Sequence, residues 1–552
     1  ARALRQIKPK ALVPSADSTH RRAMTGSLWP QTRRGWIVIC AVLLGWLWPF
    51  PYFNTVLSDG TINNPNEVTR VYAVAALIDD DSWAIDAPIK RWGGVDDKAI
   101  RDGQLYSSKA PGTTLVGAPI YQLYRLVGPA LEKRSLTWFL RVIVGLPFSL
   151  FLLLLIRREI LAMSDEDRAD GVFLCMGLGS MLYPYTLVFA GHAMATAMVF
   201  AAYVYGRRSD PKGMLLFGLC AAAAPAFEYP HALAILPLGL RFVLAQGAAQ
   251  IPRRIAFGIA GGLLPIAATC FAQAKMFGSF SKTGYSFLEN TAYKDLHGDG
   301  FFGLSVPQID RLGAALFSLE LGLFIFTPIL LLGAYGLMRQ TPHRLAQERL
   351  WIGALIALEL LFLASHGGWR GGWSIGPRYI LPIVPFLALG LAVQFRPWAL
   401  GSLAGLSILL CGLPSAIYPH LSEVFSNPWS SFVLPALKSG LAPYQPGPYA
   451  AGAAWGPGVL IGGLFVAAAT SARLLGGRFG LIAFFPALVL STLVLRAIPE
   501  TNQTEARAET CRLYRLWEPR VKPGKEWLSA AQFDAERCRS RAVLKALPKE
   551  SK

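Results

Sequence analysis

The sequence predicts an all-α polytopic membrane protein, and three observations predict it. Mean hydropathy is +0.39. Only 16% of the 552 residues are charged. Apolar runs of membrane-spanning length recur along the chain, and the short alternating segments of a transmembrane β-barrel do not appear.

Read against their flanking charges, these runs predict about thirteen transmembrane helices. They fall near 35–53, 136–156, 170–189, 191–206, 212–229, 230–246, 255–275, 317–337, 350–366, 379–395, 398–418, 456–474 and 479–497. A net charge of +19 would suit a nucleic-acid partner. The basic residues, however, sit mostly in short loops between apolar runs, where the positive-inside rule accounts for them, so no nucleic acid is expected. Arg33-Arg34, Arg157-Arg158, Arg207-Arg208, Arg253-Arg254 and Arg344 with Arg349 mark the cytoplasmic side. This places the N-terminus inside and the C-terminus outside. The tail carries more Lys and Arg than Asp and Glu, which argues the other way, but earlier spans usually set orientation.

Residues 1–34 read as a basic cytoplasmic arm, and the apolar run near Trp36 as a retained signal-anchor helix. Residues 35–497 form the transmembrane domain and 498–552 a polar, extracytoplasmic tail. The first extracytoplasmic loop, 54–135, holds two amphipathic stretches, 67–78 and 113–130, which read as helices lying along the interface. Glu228-Tyr229-Pro230-His231 must serve as the turn between two runs. Cys40, Cys175, Cys220, Cys270 and Cys411 fall inside apolar runs, where a thiol is a small hydrophobe. Cys511 and Cys538 lie together in the tail, where an oxidising compartment would pair them. No CxxC or His/Cys cluster suggests a metal site, and no nucleotide-binding Gly motif appears.

Chemistry-bearing residues gather in the outer loops. The first loop reads Asn66-Glu67-Val68-Thr69-Arg70-Val71-Tyr72 and later Gly103-Gln104-Leu105-Tyr106-Ser107-Ser108-Lys109-Ala110-Pro111-Gly112. The compact Lys109 ammonium can neutralise a phosphodiester as it leaves; the bland alternative is a snorkelling interfacial lysine. Asp79-Asp80-Asp81 offers the oxygen ligands a divalent cation prefers, although such runs more often solvate a helix end. No other cofactor is indicated. His192 opens a helix. Glu228 ends an apolar run, where a buried carboxylate costs about 2.5–3.5 kcal/mol, which points to a functional role or, in the bland alternative, a hydrogen bond between helices. His366 begins a glycine-rich loop that runs to Tyr379. In that loop Trp369 and Trp373 can stack on a sugar, and Arg370 and Arg378 can fork onto phosphate oxygens. Lys275, Lys282 and Arg311 are further cations of the same kind.

On these residues the chain resembles the polyprenyl-phosphate-dependent glycosyltransferases of the GT-C class, which include the aminoarabinose transferases of lipid A and the protein O-mannosyltransferases. The counterparts of the family motifs are Asn66-Glu67, Arg70 with Tyr72, Asp81-Ser82-Trp83, and Gly103 through Tyr106 to Lys109-Ala110-Pro111. The resemblance is clearest over residues 54–130; elsewhere it rests on helix count and loop layout. It implies that the loop lysine binds the donor phosphate and that a loop carboxylate lies near the acceptor. The family has Asp where this chain has Asn66, and an amide accepts no proton, so the carboxylate falls to Glu67 or Asp59. Arg70, one turn after Glu67, would pair with it and orient it.

The expected function is transfer of a sugar from a polyprenyl-phosphate carrier to a glycan, lipid or protein acceptor, at the extracytoplasmic face of a bacterial inner membrane and in contact with its lipids. Expected catalytic residues are Glu67, Asp59 and Arg70. Expected substrate-binding residues are Lys109, Tyr106, His192, Glu228, His366, Trp369, Arg370, Arg378 and Tyr379, with no metal ligands. The alternatives are a lipid-linked-sugar transporter or flippase, and a structural subunit whose activity has lapsed, which Asn66 favours.

Overall fold

The chain is an all-α polytopic membrane protein. The computed structural model describes residues 27–47, 64–244, 247–291, 294–295, 303–339, 343–438 and 456–517. In chain order its principal elements begin with α1 (Arg33–Leu47), α2 (Pro65–Asp79), α3 (Asp86–Trp92), β1 (Lys98–Arg101), β2 (Gln104–Ser107) and α4 (Gly112–Arg125). Next come α5 (Lys133–Leu161), α6 (Glu166–Gly179), α7 (Gly191–Gly206), α8 (Pro211–Phe227), α9 (Ala232–Leu244) and α10 (Ile251–Phe277). The last are α11 (Ile329–Met338), α12 (His343–Ser365), α13 (Ile383–Leu389), α14 (Pro397–Ile417), α15 (Gly456–Ala497) and α16 (Gln503–Trp517).

Local signals fix many of these ends. Asn64 caps α2 by accepting from the Glu67 amide, with Pro65 in the first turn. Asp165 caps α6 and Asp210 caps α8 in the same way. Tyr229–His231 forms the short 3₁₀ turn between α8 and α9 that the sequence required. The expected span 317–337 is broken instead: Ile309–Phe317, Leu323–Phe326 and α11 are separate helices, with Pro328 directly before the last. The described part of the first outer loop is ordered structure, with Val71 fully buried and Ile78 packed against the same apolar cluster.

Burial sorts the helices into layers. An 18-residue apolar stretch of α14 is 83% buried, whereas those of α10 and α15 are 11% and 17% buried. Their exposed side chains include Leu263, Leu264, Phe271, Ile482, Val489 and Leu493. A continuous apolar exterior of this kind suits lipid as solvent. α15 reverses at Gly477, where φ is +57°, so Gly401 of α14 lies against both Ala472 and Gly480. The two expected spans 456–474 and 479–497 are the arms of this hairpin.

The basic pairs read as cytoplasmic gather at one end of the bundle. Arg34 and Arg157 reach Asp170 at 3.0 and 2.7 Å, and Arg207 and Arg344 reach Glu159 at 2.5 and 3.0 Å. Arg254 donates to the carbonyls of Gly206 and Arg208. From that end α7 runs about 24 Å, at 1.5 Å per residue, to the opposite end of the bundle.

Candidate active site

At that opposite end α2, α4, α7 and α8 meet through buried charges. Arg70 donates Nε to Asn66 Oδ1 (3.1 Å) and Nη1 to Thr113 Oγ1 (3.1 Å), and pairs through Nη2 with Glu228 Oε1 at 2.5 Å. The end of α8 is wedged between the starts of α4 and α7. A Cβ at Gly112 would sit 2.5 Å from the Ala226 carbonyl oxygen, and one at Gly191 only 2.2 Å from that of Phe227. Only glycine allows this approach, and it brings His192 Nε2 to 3.5 Å from Glu228 Oε1.

Glu67 does not pair with Arg70 as its spacing suggested. It faces the other way from α2, fully buried, with both carboxylate oxygens on Arg141 (Nε to Oε1, 2.6 Å) and the Phe189 amide donating to Oε1 at 2.6 Å. Arg141 lies in a π-helical stretch, Leu140–Gly145, within α5.

Outside this charged layer opens a cavity of about 530 Å³, whose lining includes Asn66, Asp97, Lys109, His192, Arg378 and Tyr379. Trp369, Tyr285 and His420 add aromatic and imidazole surface. Lys109 Nζ lies 2.9 Å from Asp97 Oδ1. Burial pulls the Lys109 ammonium below its ordinary value; Asp97 opposes that, and Arg378 and Arg70 reinforce it. Arg378 forms no ion pair among the described residues, and its Nε is buried without a hydrogen-bond partner. Gly371, at φ +72°, makes room for it, since a Cβ there would meet Arg378 Cγ at 2.7 Å.

The structure thus brings together Lys109, His192, Trp369, Arg370, Arg378 and Tyr379 on one cavity, with Glu228 and Arg70 directly beneath. Other expected site residues lie elsewhere. Glu67 is not in the lining. Tyr106 packs edge-on to Phe277 and donates to Gln104 Oε1 at 2.7 Å. His366 stacks on Phe362 behind Tyr379, and burial together with Arg378 pushes it down to about 4. Arg370 lines the cavity but is held by Glu320 and by Glu423 at 3.4 Å. Lys275 and Lys282 lie over phenylalanine rings, and Arg311 binds the carbonyls of Ala364 and His366. Asp59 is outside the described residues.

The triple-aspartate run does not converge on one ion. Asp79 binds Arg125 (2.9 Å) and Tyr121, whereas Asp80 binds Arg91 (2.5 Å). Among the described residues no three His, Cys, Asp or Glu side chains cluster as metal ligands would.

Sequence reading missed Asp97, Tyr285, His420 and Arg141. A signal for the first was present. Asp102-Gly103 is a two-residue hairpin turn, with φ of +51° and +77°, between β1 and β2. Its register pairs Lys98 with Ser107, which carries Asp97 alongside Lys109.

No family model matches the chain, and no curated protein matches it. Among solved structures, ArnT from Cupriavidus metallidurans in the apo state is 14% identical with a TM-score of 0.44, over 87% of this chain and 79% of that one. The same protein bound to undecaprenyl phosphate is 15% identical, also at 0.44, over 88% and 80%. The archaeal oligosaccharyltransferase AglB from Archaeoglobus fulgidus, in complex with an inhibitory peptide and a dolichol-phosphate, is 12% identical at 0.41, over 95% and 61%.

Proposed function

We propose that this chain is a membrane glycosyltransferase that moves a sugar from a polyprenyl-phosphate carrier to an acceptor on the extracytoplasmic face of a bacterial inner membrane. One observation carries the reading: Lys109 and Arg378, from distant parts of the sequence, converge on a cavity walled by Tyr379 and Trp369. As the bond from the anomeric carbon to phosphate breaks, charge accumulates on the departing phosphate, and two fixed cations in a partly water-excluded site stabilise it. Arg378, which has no anionic partner among the described residues, is the primary phosphate ligand, and Lys109 would exchange Asp97 for phosphate oxygen. The aromatic walls supply stacking surface for a sugar. In-line displacement from the opposite side of the ring would invert the anomeric carbon.

A flippase would place its charges near the bilayer midplane between repeated halves. Here they lie where helices end, which favours chemistry at the surface.

The test is binding of undecaprenyl phosphate to the purified protein in nanodiscs. Lys109→Ala and Arg378→Ala should each weaken it roughly tenfold to a hundredfold, the equivalent of about 1.5–3 kcal/mol for a charge-assisted hydrogen bond. Wild-type affinity in both variants would overturn the reading.

A further inference from the structure

The transfer needs a base for the attacking hydroxyl, and the cavity offers few. Asn66 takes no proton. Glu67 is turned away onto Arg141. Of the lining carboxylates Asp96 and Asp97, the second is paired with Lys109 until donor phosphate draws that lysine off, so both are rivals that the test must separate. His192 differs from these. It lines the cavity, is 2% exposed, and neither ring nitrogen has a hydrogen-bond partner. An unpartnered buried polar group is costly enough to call for a role.

Behind it lie two more such groups. The His231 ring, on the turn between α8 and α9, is 6.0 Å from that of His192, edge to face. Glu359 of α12 places Oε1 3.6 Å from His231 Nδ1. Both side chains are fully buried, and neither His231 nitrogen nor Glu359 oxygen has a hydrogen-bond partner. The charged groups facing His192 are Glu228 at 3.5 Å, Arg70 beyond it, Arg378, Lys109 and His231, and the rings of Tyr185 and Tyr379 flank it at 5.8 and 6.1 Å. Glu359 faces His231.

Resting on the transferase reading above, we propose that His192 is the general base of that transfer, and that His231 and Glu359 are positioning residues that orient its ring and tune its protonation. The acceptor oxygen uses a lone pair to bond to the anomeric carbon. The bond from that carbon to the phosphate oxygen breaks, and its electron pair stays on the phosphate. The hydroxyl proton passes to His192. Glu228, shared with Arg70, faces the resulting imidazolium at 3.5 Å, and the imidazolium then releases its proton to solvent through the cavity while the phosphate leaves as an anion on Arg378 and Lys109. Asn66, accepting from Arg70 Nε, aims that guanidinium at Glu228 and takes no proton itself.

The experiment uses the full chain in nanodiscs, with three readouts: undecaprenyl phosphate binding, release of that lipid from a panel of undecaprenyl-phosphate-linked sugars, and titration of ¹³C-labelled histidines by NMR. His192→Gln should reduce release at least a hundredfold while lipid affinity stays within about threefold, the usual scale of general-base catalysis. Glu359→Gln and His231→Gln should lower release about tenfold and displace the pH–rate profile, and Glu359→Gln should also move the His192 and His231 titrations. Wild-type release from His192→Gln, or loss of release from Asp96→Asn or Asp97→Asn in its place, overturns the base assignment. Unaltered histidine titrations in Glu359→Gln overturn the positioning roles. A wild-type protein that binds no undecaprenyl phosphate refutes the transferase reading instead, and the NMR titration still decides whether the three buried groups are coupled.

Discussion

Glu67 shows how far a single residue can be read. Its sequence neighbourhood marks it as special, and it is: a fully buried carboxylate with three donors. What the sequence could not show is direction, because the partner, Arg141, is 74 residues away in a π-helical stretch that no local pattern announces. Removing one partner of a buried pair leaves an uncompensated charge, at about 3–5 kcal/mol. Glu67→Gln should therefore lower the melting temperature in detergent markedly, and Glu67→Gln with Arg141→Met should recover much of the loss. Unchanged stability in the single variant would contradict this structural role. Two histidines at the cavity end set a pH dependence. Burial first, then Arg378 for His366 and Arg141 for His420, push these imidazoles from 6.5 down to about 4 and about 3. Each is held neutral when folded and takes a proton on unfolding, so its stabilisation is complete above about 6.5 and is lost as pH falls through 4 and 3. Melting temperature should decline below pH 6.5, and the decline should be shallower in His420→Gln.

Elements were more legible than their contacts. The expected spans 191–206, 212–229 and 398–418 appear as α7, α8 and α14 within a few residues, because each is a long apolar run with a capping residue, a proline or a charge at its boundary. The runs at 317–337 and 379–395 gave shorter helices, since hydropathy alone does not register a proline or a turn inside an apolar stretch. The hairpin of β1 and β2 was missed despite its Asp-Gly turn, which matters because that turn sets Asp97 against Lys109. The start of α7 carries a prediction at this scale. A methyl group at Gly191 would lie 2.2 Å from the Phe227 carbonyl oxygen and 2.7 Å from Glu228 Oε1. Both obstacles belong to the end of α8, so Gly191→Ala must push the two helices apart and disturb the Glu228 contacts with Arg70 and His192. Reduced thermal stability together with weaker undecaprenyl phosphate binding is expected. A variant with wild-type values for both would show that the junction yields without cost.

For the whole molecule, charge told more than hydropathy. The arginine pairs read as cytoplasmic do share one end, bound through Asp170 and Glu159, and the cavity occupies the other. Residue chemistry marked Lys109, His192 and Arg378 as candidates for one site, but the geometry that joins them beside Asn66 comes from packing between helices distant in sequence. The C-terminal segment joins the cavity end. Glu500 accepts from the amides of Ser426 and Asn427 at 3.0 and 2.9 Å, a few residues beyond His420 and Glu423 of the lining. Cys511 of α16 is disulfide-bonded, and its expected partner Cys538 lies outside the described residues. A disulfide persists where the compartment is oxidising, so the tail and the cavity should together face away from the cytoplasm. Membrane-impermeant maleimide applied to spheroplasts should label Cys511 and Cys538 only after reduction, as located by mass spectrometry. A cysteine introduced as Arg349→Cys, near the arginine end, should react only once the membrane is permeabilised. Labelling of that cysteine from outside, with Cys511 protected even after reduction, would turn the molecule over and put the cavity on the cytoplasmic side, where a transferase working on an exported lipid-linked sugar has no use for it.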